Sequence, residues 1–158
     1  MTRVHLPGPA AGRRIGLLGG SFNPAHAGHL HVAETALKRL RLDEVWWIVA
    51  RGNPLKSDHG DFAERLASAR TFARPPAMNV TDIEAQLDLT YTADTLRTLR
   101  AAEPEAHFVW IMGADNVTGF HLWKDWEEIA ASVPIAVVSR PGTRISKAQP
   151  FTRRFAEA

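Results

Sequence analysis

The sequence predicts an α/β protein built on a mainly parallel sheet with helices on both faces. Two observations carry that expectation. Short apolar runs alternate with amphipathic stretches along nearly the whole chain. The apolar runs are also close to continuous, as expected for strands covered on both sides, rather than alternating between apolar and polar. A length of 158 residues suits one core-bearing domain, preceded by a loose arm over 1–13 and followed by a polar tail over 143–158, with the domain itself over 14–142.

Each element follows from its local pattern. Arg14-Ile15-Gly16-Leu17-Leu18 is a buried strand, and Gly19-Gly20 reads as the tight turn that ends it. Leu30, Ala33, Leu37 and Leu40 recur at helical spacing and predict an amphipathic helix. Glu44 to Ala50 is the second strand, and Asp61 to Ala73 a helix with Phe62, Leu66 and Ala69 on one side. Met78 to Ile83 is read as a strand and Thr92 to Ala102 as a helix carrying Leu96 and Leu99. His107 to Met112 is strongly strand-like, Leu122 to Ala131 helix-like, and Val133 to Ser139 the last strand. In such a sheet the strand-to-helix loops gather along one edge.

Composition narrows the function classes. Hydrophobic residues make up 45% and charged residues 23%, an ordinary globular balance that argues against disorder. With no cysteine, thiolate nucleophiles, zinc-thiolate sites and disulfide frameworks are excluded. A net charge of +2 suits phosphate-bearing substrates and is too small to argue for nucleic acid. The N-terminal stretch has no apolar run of signal-peptide type, and no segment is long enough for a membrane span, so a cytoplasmic protein with no membrane partner is expected. Oligomeric state is not legible.

The first strand-to-helix junction carries the chemistry: Gly19-Gly20-Ser21-Phe22-Asn23-Pro24-Ala25-His26-Ala27-Gly28-His29. Two glycines let the backbone come close to a ligand, and Pro24 stiffens the turn. The helix that follows offers unpaired N–H groups and the positive end of its dipole, both of which favour phosphate. His26 and His29, three apart on a first helical turn, point the same way. Gly28 between them leaves room for a ligand atom. Imidazoles placed there can donate hydrogen bonds to oxygens on which charge accumulates during phosphoryl-type transfer. A zinc site on His26, His29 and His31 is not expected, since His31 projects away and no HExxH pattern exists.

This segment resembles the GxFxPxHxGH signature of the nucleotidyltransferase superfamily, whose second half is (H/T)-x-G-H. Asn23 stands where many members carry Asp and keeps the same turn-forming capacity. The resemblance implies a Rossmann-like, doubly wound fold and nucleotidyl transfer with release of pyrophosphate.

Later segments are similar to bacterial nicotinate mononucleotide adenylyltransferases. Asn53-Pro54-Leu55-Lys56 resembles that family's Asn-Pro loop, with Lys56 facing phosphate, although the residues alone fit a solvated lysine equally well. Arg65 matches the Arg of an RxxM segment in which Ser68 here replaces Met. Thr90-Tyr91-Thr92-Ala93-Asp94-Thr95-Leu96 resembles SYTxxTL, which implies that Tyr91 and Thr92 lie against the nicotinate. A helix start there can receive a carboxylate, or can be a plain N-cap. Gly113 and Asp115 match a nucleotide-contacting Gly-x-Asp; Asp115 suits ribose hydroxyls or a helix cap. Trp123 matches a tryptophan that stacks on the pyridine ring, while Trp126 reads as packing; Arg140 resembles an Arg near the substrate phosphate.

The resemblance therefore implies transfer of AMP from ATP to nicotinate mononucleotide, with Mg²⁺ carried by the ATP phosphates and no metal held by the protein. The expected sites are His26 and His29 for catalysis, then Gly19, Gly20, Ser21, Phe22, Gly28, Lys56, Gly113 and Asp115 for ATP, and Tyr91, Thr92, Trp123 and Arg140 for the mononucleotide. The family's further S-[ST]-T-x-[IL]-R motif is not found in the tail, where Ile145-Ser146-Lys147 stands. Two alternatives follow: a pantetheine-phosphate adenylyltransferase, which shares the first motif, or a non-catalytic nucleotide-binding module.

Overall fold

The computed structural model describes residues 5–52, 61–117, 119–139 and 155–157. Strands β1 (Arg14–Gly20), β2 (Glu44–Val49), β3 (Met78–Thr81), β4 (His107–Gly113), β5 (Ile135–Val138) and β6 (Phe155–Glu157) form one sheet in the order β3-β2-β1-β4-β5-β6. Every neighbouring pair is parallel, with Leu17 opposite Trp46 on one side and Trp110 on the other.

Helices α1 (Ala27–Arg39), α2 (Phe62–Phe72), α3 (Ile83–Gln86), α4 (Thr92–Ala102) and α5 (Trp126–Ser132) connect these strands. Alternation along β2 sorts them into two layers. Trp46 and Ile48 join one buried cluster with Leu96 and Leu99 of α4 and Ile129 of α5, whereas Val45, Trp47 and Val49 join another with Ala33 and Ala36 of α1 and Ala69 of α2. All six side chains of β2 are buried, and the five from Val45 to Val49 form an unbroken apolar run. The expected doubly wound, Rossmann-like architecture is present, and the strand order reverses between β1 and β4, where ligands of such sheets bind. Among the described residues no helix is long and apolar enough to cross a membrane.

Four boundaries differ from expectation by more than one residue. β1 runs on through Gly19 and Gly20 instead of ending at Leu18. The segment Met78 to Ile83 divides into β3 and the start of α3, because Thr81 Oγ1 accepts from Ile83 N and turns the chain. The helix expected from Leu122 begins at Trp126, since Asp125 sits in the left-handed region at φ 57° and breaks the regular geometry. The last expected strand is shorter, Ile135–Val138. Where described, the N-terminal segment is tied down: Ala10 is buried, Gly12 N donates to Glu105 O, and His5 N donates to Gln86 Oε1.

Candidate active site

The turn after β1 and the end of β4 meet at the reversal point and enclose a cleft of about 440 Å³. Its lining contains eight of the expected site residues: Gly19, Gly20, Ser21, Phe22, His26, His29, Gly113 and Asp115. A larger hollow, about 630 Å³, lies at the opposite end of the sheet between Arg14, His107 and Val133. It sits at the N-terminal ends of the strands, and ligands of open parallel sheets bind at the C-terminal ends, so the smaller cleft is the candidate site.

The two glycines end the strand rather than turn it. A Cβ on Gly19 would lie 2.7 Å from Cη2 of the buried Trp110, and one on Gly20 would lie 3.3 Å from the ring of Phe22. Close approach, not a bend, is what requires glycine here. The turn is made one step later, where Phe22 adopts φ 52°. Phe22 is almost fully buried; its ring stacks on Trp47 at 5.4 Å and meets His29 edge-on at 4.8 Å. It lines the cleft and packs against His29.

His26 and His29 are brought together, with ring centroids 3.9 Å apart. Each imidazole also caps the helix. His26 occupies the N-cap of α1 and its Nδ1 accepts from Gly28 N at 3.0 Å; His29 Nδ1 accepts from His26 N, also at 3.0 Å. This is the reciprocal capping arrangement usually made by a hydroxyl and a carboxylate, built here from two histidines. The amides of His26 and Gly28 are occupied by this pairing, and Gly28 is not among the cleft's lining residues. A neutral imidazole that accepts at Nδ1 carries its proton on Nε2, so capping selects the tautomer in which Nε2–H is the donor.

The loop is held from behind by α2. Arg65 is 2% exposed; its Nη1 donates to Ser21 O (3.0 Å) and Ala50 O (2.6 Å), and its Nη2 to Arg51 O (3.2 Å). Burial lowers its pKa, with Asp61 acting in the opposite direction. Ser68 Oγ accepts from Ala25 N at 2.7 Å.

Three of the expected mononucleotide residues, Tyr91, Thr92 and Trp123, do not line the same cleft. Tyr91 is 47% exposed at the start of α4, where no side chain caps the helix, and Lys124 Nζ sits 4.5 Å from its ring centroid. Trp123 packs edge-on against Phe120 (5.1 Å) and Trp110 (6.2 Å), and Trp126 also meets Phe120. Trp110 therefore touches both Gly19 and Trp123 and joins the two groups. Thr92 opens α4. Lys56 and Arg140 lie outside the described residues.

Sequence reasoning missed three supports. Arg51 Nη2 donates to Thr90 Oγ1 (2.7 Å), and Thr95 Oγ1 donates to Glu84 Oε2 (2.7 Å), fixing the start of α4 from two sides. Burial raises the pKa of Glu84, partly offset by the Thr95 hydrogen bond and the Arg51 charge. Arg97 joins α4 to the segment carrying Trp123, pairing with Asp94, Glu128 and Asp125. A signal for Arg65 was present: with Phe62, Leu66 and Ala69 it completes an i, i+3, i+4, i+7 stripe, which placed it on the buried face of α2.

A strand order that reverses beside β1, with a capped histidine pair in the crevice there, fits a nucleotidyltransferase. The chain belongs to the cytidylyltransferase-like family, whose sequence model matches residues 17–155. Among named relatives, it is 54% identical over 148 residues to the probable nicotinate-nucleotide adenylyltransferase of Caulobacter sp. (strain K31), covering 92% of this chain and 78% of that protein. It is 59% identical over 132 residues to the protein of the same name from Methylorubrum extorquens (strain PA1), covering 82% and 71%. The fold matches the structure of Plasmodium falciparum nicotinic acid mononucleotide adenylyltransferase complexed with NaAD with a TM-score of 0.78 at 20% identity, over 92% of this chain and 72% of that one. These relatives place the chain among the nicotinate-nucleotide adenylyltransferases and do not favour the pantetheine-phosphate or non-catalytic alternatives.

Proposed function

We propose that the chain transfers AMP from ATP to nicotinate mononucleotide, giving nicotinate adenine dinucleotide and pyrophosphate. A phosphate oxygen of the mononucleotide attacks the α-phosphorus of ATP in line, and the bond from that phosphorus to the β-phosphate oxygen breaks. The attacking oxygen is already ionised near neutral pH, so the protein need only position the partners and stabilise charge. His26 and His29 do this through their Nε2–H groups, with the positive end of α1 behind them. The observation that carries the proposal is the reciprocal capping of two imidazoles in the cleft's lining, which leaves Nε2 of each neutral ring to carry its proton.

Gly19, Gly20 and Gly113 admit the nucleotide backbone closely, and Asp115 serves ribose hydroxyls. Mg²⁺ is assigned to the ATP phosphates, where it offsets their charge. Asp115 is the carboxylate in the cleft's lining, which fits a cation ligated mainly by phosphate and water. Lys56 and Arg140 retain their phosphate-facing roles on the strength of the sequence resemblance. Tyr91, Thr92 and Trp123 take the pyridine ring, with its carboxylate at the uncapped start of α4 beside Lys124. The names of the relatives support the choice of acceptor.

The test is pyrophosphate release from ATP with nicotinate mononucleotide, nicotinamide mononucleotide or phosphopantetheine as acceptor. Turnover is expected with the first and less with the second. Turnover with phosphopantetheine alone, or ATP binding without turnover on any acceptor, contradicts the proposal. Lys124→Gln should narrow the nicotinate preference in kcat/KM by ~2- to 5-fold, the size of an exposed charge pair. An unchanged ratio removes Lys124 from acceptor choice.

A further inference from the structure

The catalytic turn leaves its two critical backbone groups to a helix that has no part in the chemistry. Ala25, immediately before the N-cap His26, is 5% exposed, and among the described residues its N–H donates to Ser68 Oγ of α2. One turn earlier on the same helix, Arg65 holds the Ser21 carbonyl at the other end of the turn. The segment from Ser21 to Ala25, which contains the left-handed Phe22, is thus gripped at both ends from one rigid element. We propose that Ser68 and Arg65 are positioning residues for the reaction, fixing the turn so that the Nε2–H groups of His26 and His29 face the reacting phosphate. Nothing in the similarity to RxxM proteins supplies this role for residue 68, where the hydroxyl stands in place of methionine.

The physical case rests on partner accounting. A buried N–H deprived of its acceptor seeks another, and the movement required falls on the residue whose dihedrals set the N-cap. Arg65 also holds the carbonyls of Ala50 and Arg51, so α2 fixes the turn after β1 relative to the loop after β2 as well as internally. Small displacements at such a position act on rate more than on binding, because the imidazoles contribute to the transition state and not to holding the ground-state nucleotide.

The proposal rests on the adenylyl-transfer reading, and its test separates the two. Ser68→Ala should lower kcat by ~10- to 100-fold, the scale of a sub-ångström misplacement, while KM for nicotinate mononucleotide stays within about twofold, since the start of α4 is untouched. Ser68→Thr, which keeps the hydroxyl, should restore kcat, and the deficit should persist well below the melting temperature of each variant. Full kcat in Ser68→Ala, or a deficit that vanishes on cooling and tracks thermal stability alone, overturns the role. Arg65→Lys, which cannot reach three carbonyls at once, should show a larger loss of the same kind if it folds. Imidazole ¹⁵N shifts of His26 provide an arm independent of turnover: the Nδ1-acceptor signature should weaken in Ser68→Ala, and an unchanged signature counts against the clamp. If the parent turns over no acceptor, the substrate reading fails, and these shifts still decide whether α2 positions the turn.

Discussion

His29 performs two tasks that substitution separates poorly: its Nδ1 caps α1 and its Nε2–H is the proposed donor. His29→Ala should reduce kcat strongly, on the order of 10²–10³ for one transition-state donor, but it also removes half of the capping pair, worth roughly 0.5–2 kcal/mol. Melting temperature must therefore be read beside rate, and near-normal kcat in a folded variant removes His29 from the chemistry. Gly19 presents a purely steric case. Adding a methyl group 2.7 Å from an indole carbon of Trp110, which is 2% exposed, forces strand or ring to move. Gly19→Ala should cost about 1–3 kcal/mol by overpacking, visible as a lowered melting temperature. Because Trp110 also touches Trp123, the mononucleotide KM should rise with it. A variant as stable as the parent would show that the strands have slack. The sequence assigned both glycines the bend, which belongs to Phe22 at φ 52°, and their close approach is to the rings of Trp110 and Phe22. An aromatic residue in the left-handed region carries no sequence signal, because local sterics argue against it and only packing on Trp47 and His29 explains it.

Elements were legible in proportion to their periodicity. Helix α4 occupies Thr92–Ala102, as the spacing of Leu96 and Leu99 indicated, and α2 begins at Phe62 behind its Asp61 cap. The helix expected from Leu122 starts only at Trp126: the left-handed Asp125 separates Trp123 from Trp126, and both rings close on Phe120. Buried polar supports were invisible for a different reason, since they join distant parts of the chain. Glu84 on α3 is held by Thr95 on α4, and burial pushes its carboxyl above the usual carboxylate range. A raised folded-state pKa means that the protonated form is favoured by folding. Glu84 therefore contributes stability below the ordinary carboxylate range, and that contribution is lost as pH rises through the raised value. Glu84→Gln keeps an acceptor for Thr95 and removes the charge. Its melting temperature relative to the parent should increase from acid to neutral pH. A difference independent of pH would show that the carboxyl titrates alike folded and unfolded.

At the scale of the molecule, the arrangement β3-β2-β1-β4-β5-β6 brings the loop after β1 beside the end of β4, although more than 80 residues separate them. The alternation of apolar runs made the parallel sheet legible, and the glycine-histidine turn identified which strand edge carries the chemistry. The sequence could not show that the two imidazoles satisfy the helix's own amides, since that depends on side-chain direction at the N-cap. In the proposed division of labour, Nδ1 serves the fold and Nε2–H the reaction. His26→Asn separates the two most directly, because asparagine is among the best N-cap residues and keeps an acceptor for Gly28 N while removing the donor at Nε2. In pyrophosphate release from ATP and nicotinate mononucleotide, the account predicts a melting temperature close to the parent's and a kcat lowered by ~10²–10³. A stable His26→Asn enzyme with kcat within a few-fold of the parent would contradict it.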